Sequence, residues 1–147
     1  MVENKFMKIA IELANQSDKD VPVGALIVKN GEIIATSHNE KEKNNDVTAH
    51  AEILVIKKSS GILNNWRLDD CELYVTLEPC PMCAWAILQS RIKTVYFGSS
   101  DSQYGAFGSV IDLSKLGTNS NLKIYSGILE KECDNVIERF WKKRRDK

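Results

Sequence analysis

The sequence has no charge bias, no long apolar run and no internal repeat, and each absence removes a class of function. Twenty basic and twenty acidic residues cancel, so bulk charge points to no anionic partner and only local clusters can do so. No stretch approaches the roughly 20 apolar residues of a membrane span, so no membrane role is expected. The N-terminus, Met1-Val2-Glu3-Asn4-Lys5-Phe6, has neither an apolar export segment nor a small-residue cleavage site, which predicts a cytoplasmic protein. In that compartment thiols stay reduced. The four cysteines therefore read as metal ligands or catalytic groups before disulfides. Cys80 and Cys83 form a C-x-x-C; Cys71 and Cys133 stand alone and read as small buried residues.

What is present is an ordinary globular composition. The chain has 147 residues, 43% hydrophobic and 27% charged, consistent with one domain over 1–147. A chain of this size buries about 70% of its unfolded surface, enough for a core without disulfides.

Apolar residues at helical spacing predict a helix over 4–15. Ala25-Leu26-Ile27-Val28 reads as a buried strand, Asn30-Gly31 as a hairpin turn, and Glu32 to Ser37 as the returning strand. Residues 38–46 read as a polar loop. A helix follows from about His50 to Ser59, capped by the Thr48 hydroxyl and ended by Ser60-Gly61. Glu72 to Leu77 alternates as a half-buried strand. Pro81 suits the first turn of a helix reaching Ser90. Thr94 to Phe97 is the next strand, reached by a right-handed parallel crossover. Residues 98–108 read as loop, Ser109 as the cap of a short helix through Leu116, and 117–121 as a turn. Leu122 to Tyr125 is a fifth strand. Leu129, Cys133, Val136, Ile137, Phe140 and Trp141 mark a final helix ending in Lys142-Lys143-Arg144-Arg145. The order predicts an α/β fold: a mixed five-stranded sheet between helices, in three α-β-α layers.

Two stretches carry the chemistry. Thr48-Ala49-His50-Ala51-Glu52 and Pro79-Cys80-Pro81-Met82-Cys83 offer one imidazole, two thiols and one carboxylate. His50, Cys80 and Cys83 make three zinc ligands with the fourth position open, the composition of a catalytic site. Cys80 and Cys83 lie where a helix begins, and the helix dipole there favours a thiolate. Two thiolates make zinc a weaker Lewis acid than histidines do, so a carboxylate that moves protons matters more. Glu52, two positions from His50, is that group. A structural zinc knuckle would need a fourth ligand, and the spare candidates His38, Cys71 and Cys133 lack partner spacing. A thiol–disulfide motif leaves His50 and Glu52 without a role.

The His-x-Glu and Pro-Cys-x-x-Cys pattern resembles that of the zinc nucleobase deaminases, the cytidine deaminase-like superfamily. The likeness is closer still to the bacterial tRNA-specific adenosine deaminase family. It rests on Val21-Pro22-Val23-Gly24-Ala25, the two zinc stretches, Tyr74 to Ala84, Ser90-Arg91-Ile92, Phe97-Gly98, Gly127-Ile128-Leu129 and Phe140 to Arg145, and spans about residues 6 to 145.

The resemblance implies one zinc per chain, conversion of adenosine to inosine at the wobble position of a tRNA anticodon loop, and a homodimer. It implies that Asn39 meets the purine ring and that the His50–Ala51–Glu52 turn sits at the reactive carbon. Pro22, Leu77 and Asp101 would line the nucleotide pocket, and Phe140 with the basic end would touch the anticodon loop. Bland readings stand beside these. Asn39 is also an ordinary turn residue, Phe140 and Trp141 also continue an apolar stripe, and four basic residues also suit a helix C-terminus.

The chain departs from the family pattern in places. Ser102-Gln103-Tyr104-Gly105-Ala106-Phe107 carries no charge and two aromatics where a basic residue is usual. That weakens the phosphate contact there and puts stacking in its place. Ser100 stands where some members carry arginine, Val47 replaces a proline, and Trp85 replaces a glycine, implying altered packing behind the zinc. Two rivals remain: a free-base deaminase, guanine for example, and a non-catalytic zinc subunit that binds RNA. The aromatic-basic end argues against the first and Glu52 against the second.

Overall fold

The computed structural model describes residues 2–117 and 121–146. Helix α1, Val2–Ala14, buries Phe6, Met7, Ala10 and Ala14. It packs directly on the first strand, β1, Gly24–Lys29. Gly24 is required there, because a Cβ would overlap the Ala10 carbonyl oxygen. Asn30 and Gly31 take φ of 52° and 79°, the left-handed pair that a two-residue hairpin needs, and return the chain as β2, Glu32–His38.

Within the polar segment after β2 lies one short helix, α2, Lys41–Asn44. Helix α3 spans Ala51–Leu63, β3 Cys71–Leu77, α4 Pro81–Gln89 and β4 Thr94–Ser99. After a 3-10 turn at Leu113–Lys115 come β5, Lys123–Tyr125, and α5, Glu130–Arg145.

The strands form one sheet in the order β2-β1-β3-β4-β5. β1 is antiparallel to both β2 and β3; β3, β4 and β5 run parallel. This is the expected mixed sheet. Its two faces are covered separately. Ala25, Ile27, Leu73 and Val75 pack with Ala51 and Val55 of α3 and Ala84 and Ile87 of α4. Leu26, Val28 and Tyr74 pack with Phe6, Met7 and Ala10 of α1 and Cys133 of α5. The alternation of adjacent residues between the two clusters is the period-2 pattern of strands covered on both faces. Cys71 and Cys133 are buried, as their isolation implied.

Four local expectations are corrected. Thr48 does not cap α3: its N–H and hydroxyl both donate to Asp46 Oδ1, at 2.9 and 2.7 Å. An acidic side chain two residues back competes for those donors, and His50 becomes the N-cap. Helix α3 also continues through Gly61, which it tolerates, and stops at Asn64, a left-handed C-cap with φ 52°. Ser109 starts no helix, because its N–H and hydroxyl are taken by Glu78. Gly98 and Ser99 belong to β4 rather than to a loop. The turn expected over 117–121 falls on 118–120, outside the described residues.

Candidate active site

Helices α3 and α4 lie on the same face of the sheet and start close together. His50 is the N-cap of α3 and Cys80 the N-cap of α4, with Pro81 in the first turn. Their proximity follows from Ala51, at the start of α3, packing in the same buried cluster as Ala84 of α4. Small residues there let the two helix starts approach.

The result is a compact donor group. His50 Nδ1 is 3.7 Å from Cys80 Sγ and 3.5 Å from Cys83 Sγ, and the three donor atoms lie within 4.8 Å of one another. Tetrahedral zinc with ordinary Zn–S and Zn–N bonds separates its ligands by about 3.6 Å. Both imidazole–thiol distances match that spacing, so the donor set fits zinc. The thiols divide their protons unequally. Hydrogen bonds from Cys83 and His50 bring the Cys80 thiol down to about 4. Its hydrogen bond to Cys80, then burial, push the Cys83 thiol up. A hydrogen bond to Cys80 raises His50. Cys80 is thus ready as a thiolate, and a divalent cation displaces the proton of Cys83.

Glu52, in the first turn of α3, is buried. Burial raises its carboxyl to about 7, with the Cys80 charge adding to the rise. That is the range in which a carboxyl both takes and gives a proton at neutral pH.

Glu52, His50 and Cys80 border a cleft of about 440 Å³, walled also by Val21, Val23, Asn39, Leu77, Asp101, Tyr104, Ile137 and Trp141. Of the residues singled out for substrate, Asn39, Leu77 and Asp101 border this cleft. Asn39 is also a brace: Nδ2 donates to Val21 O at 3.0 Å and Oδ1 accepts from Ala51 N at 2.7 Å. It ties the loop before β1 to the start of α3, keeping one N–H and one lone pair free. Ala51 is fully buried behind the cleft. Pro22 and Phe140 do not border it; both border a separate shallow depression beside α1. Helical phase explains the difference at the C-terminal end. Ile137 and Trp141, four apart, share the face of α5 turned to the cleft, while Phe140 sits under Arg144, 5.0 Å from its guanidinium. Trp85 is 39% exposed on the side of α4 away from its buried residues, so packing behind the donor group is unaltered by it.

Sequence reasoning missed Glu78. Its carboxylate is 2% exposed and accepts from the backbone N–H groups of Asp101 at 3.0 Å, Phe107 at 3.0 Å and Ser109 at 3.2 Å, and from the Ser109 hydroxyl. Ala106 N also donates to Pro79 O at 2.9 Å. Segment 101–109 is thereby fastened to the residues just before Cys80. The available signal was a charged residue placed directly after a buried strand, which must find donors inside the fold.

A thiolate-rich donor group beside a buried carboxylate, at the carboxyl end of a central strand, has the make-up of a zinc site with an acid–base group at hand. The chain belongs to the cytidine and deoxycytidylate deaminase zinc-binding family, whose model matches residues 1–99. It is 43% identical to the tRNA-specific adenosine deaminase of Bacillus subtilis, over 97% of this chain and 90% of that one. A solved structure from studies of A-to-I editing by tRNA:A34 deaminases superposes with a TM-score of 0.82 at 39% identity, covering 90% of this chain and 98% of that one. The guanine deaminase of Bacillus subtilis superposes with a TM-score of 0.64 at 38% identity, covering 78% of this chain and 69% of that one.

Proposed function

We propose that the chain, acting as one domain over 1–147, hydrolytically deaminates adenosine to inosine at the wobble position of a tRNA anticodon. In this reading His50, Cys80 and Cys83 hold one zinc and Glu52 moves the protons. The observation that carries it is the buried Glu52 bordering the same cleft as His50 and Cys80, two of the three clustered donor residues.

Zinc held by His50, Cys80 and Cys83 would supply the Lewis acidity that makes water a nucleophile at neutral pH. Glu52 takes one proton from that water and delivers it to ring nitrogen N1 of adenine as the oxygen bonds to C6. It then takes the remaining hydroxyl proton and gives it to the departing amino group. The C6–N bond breaks, ammonia leaves, and the ring is left as the lactam of inosine. Asn39 holds the loop before β1 against the start of α3, so the cleft wall and Glu52 keep their relative positions. Its free N–H and lone pair suit a purine edge.

An unpaired anticodon-loop base can be splayed into a cleft of this kind at modest cost. The curated relatives 40–43% identical over nearly the whole chain are named tRNA-specific adenosine deaminases, which favours that substrate and a cytoplasmic setting. No described helix is long and apolar enough to cross a membrane. We infer a homodimer on the same family grounds.

A free guanine deaminase is the second reading, favoured by the likeness to the Bacillus subtilis enzyme. That likeness covers less of this chain than the likeness to the tRNA:A34 deaminase. The deciding experiment compares ammonia release from an anticodon stem-loop RNA, free adenosine and free guanine. The stem-loop should react far faster; faster release from guanine would overturn the substrate assignment.

A further inference from the structure

We propose that Tyr104 is a stacking platform for a base next to the target nucleotide, so that this cleft grips a strand by an aromatic face rather than by charge. The inference rests on the deaminase reading above and specifies how that site holds its polymer.

Tyr104 is 59% exposed, yet it borders the catalytic cleft. An exposed ring at the wall of a catalytic cleft presents a face that water alone does not require. Its backbone is not loose. Tyr104 N donates to Asp101 Oδ1 at 3.1 Å and Gln103 N to the same oxygen at 2.9 Å. Asp101 N in turn donates to buried Glu78 Oε1 at 3.0 Å. Phe107 and Ser109 hang from the other oxygen of Glu78. The ring therefore projects from a turn fastened at both ends to the strand that leads to Cys80. Little ordering entropy remains for the backbone to lose when a base stacks on it.

The charge of the cleft makes the alternative unfavourable. Asp20, Glu52, Glu78 and Asp101 border it against the single lysine Lys41, and segment 102–107 has no charged residue. Asp20, Glu52 and Glu78 are buried, so a phosphate at this wall meets the half-buried Asp101 and no cation of that segment. A base meets Tyr104, and Trp141 of α5, 43% exposed, borders the same cleft. Stacking on aromatic side chains accepts every base through its π-face and needs no counter-charge.

The test uses full-length zinc-loaded protein and an anticodon stem-loop RNA, alone and with an abasic site at each position flanking the target. Tyr104→Ala should raise KM about tenfold, with kcat changing less than about twofold, and Tyr104→Phe should restore it. An abasic site at one flanking position should raise KM of the parent protein by a similar factor. It should add little in Tyr104→Ala, because both changes remove the same contact. The salt dependence of KM should keep its slope in Tyr104→Ala, since a stacked base releases no counterion. An unchanged KM, additive losses, or a shallower salt slope would overturn the proposal. The abasic series on the parent protein stands even if the alanine variant misfolds. A parent protein inactive on the intact stem-loop would overturn the deaminase reading itself, a result separate from any of these.

Discussion

A side chain on Gly105 would run into Glu78: a Cβ built there stands 2.5 Å from the Glu78 carboxyl carbon and 2.6 Å from the Asp101 carbonyl oxygen. The close approach lets one buried carboxylate collect donors from Asp101, Phe107 and Ser109 together. Gly105→Ala should therefore push segment 101–109 away from Glu78. Overpacking of this kind costs about 1–3 kcal/mol. The expected outcome is a lowered Tm and a raised KM for a stem-loop substrate with zinc content unchanged. Loss of zinc in that variant would show that the clamp supports the donor group rather than the cleft wall.

The donor group itself predicts about one zinc per chain. Cys80→Ser and Cys83→Ser should each abolish zinc retention after dialysis, measured by elemental analysis. Removing either leaves two ligands, too few for a stable site. Cys71→Ser and Cys133→Ser, at buried positions far from zinc in role, should retain it. Equal zinc loss in all four variants would sink the assignment of the donor group.

These variants also mark what was legible in the sequence. His50, Glu52, Cys80 and Cys83 were readable because each pair is local, set by spacing at a single helix start. The strand over Glu72 to Leu77 was readable, but its expected half-burial was not met: Leu73 to Thr76 are all buried, because helices cover both faces of the sheet. Glu78 was not readable, because its partners lie more than twenty residues away and are backbone groups of any residue type. The cap of α3 failed for a related reason. Thr48 and Asp46 compete within one turn, and propensity alone does not say which donor–acceptor pair closes. At the C-terminal end Phe140 and Trp141 are neighbours in sequence but about 100° apart around a helix. The family pattern drew attention to Phe140, whereas packing of α5 turns Trp141 to the cleft.

The unequal thiols give a chemical prediction for metal-stripped protein. Cys80 is held down to about 4 by hydrogen bonds from Cys83 and His50, and it is partly exposed. Burial raises Cys71 and, with nearby carboxylates, pushes Cys133 up to about 12. The sign follows directly. A depressed pKa keeps Cys80 a thiolate down through mildly acidic pH, while a raised one keeps the others protonated. Iodoacetamide should thus label Cys80 first, at a rate nearly flat between about pH 5.5 and 8. An ordinary thiol near 8.5 slows about tenfold per pH unit over that range. Peptide mapping that found Cys71 or Cys133 labelled first would contradict the structure.

The proposed role of Glu52 predicts that holding zinc and using it can be separated. The carboxyl is buried beside the donor group but is not one of its three donors. Glu52→Gln keeps the shape and one carbonyl oxygen but replaces the titrating oxygen by an amide NH2 that cannot shuttle a proton. It also removes a buried carboxyl whose ionisation burial opposes, so the fold should not suffer. Zinc content and Tm should stay near those of the parent protein. Turnover should fall about 10²- to 10⁴-fold, the usual worth of a positioned acid–base group. In the parent protein kcat/KM should fall on the acid side as Glu52 becomes protonated. A nearby divalent cation favours the carboxylate, so that limb should lie below the value of about 7 set by burial. Glu52→Asp, one methylene shorter, should recover part of the rate and keep the acid limb. Full activity in Glu52→Gln with zinc bound would remove the proton shuttle and leave the mechanism without its base.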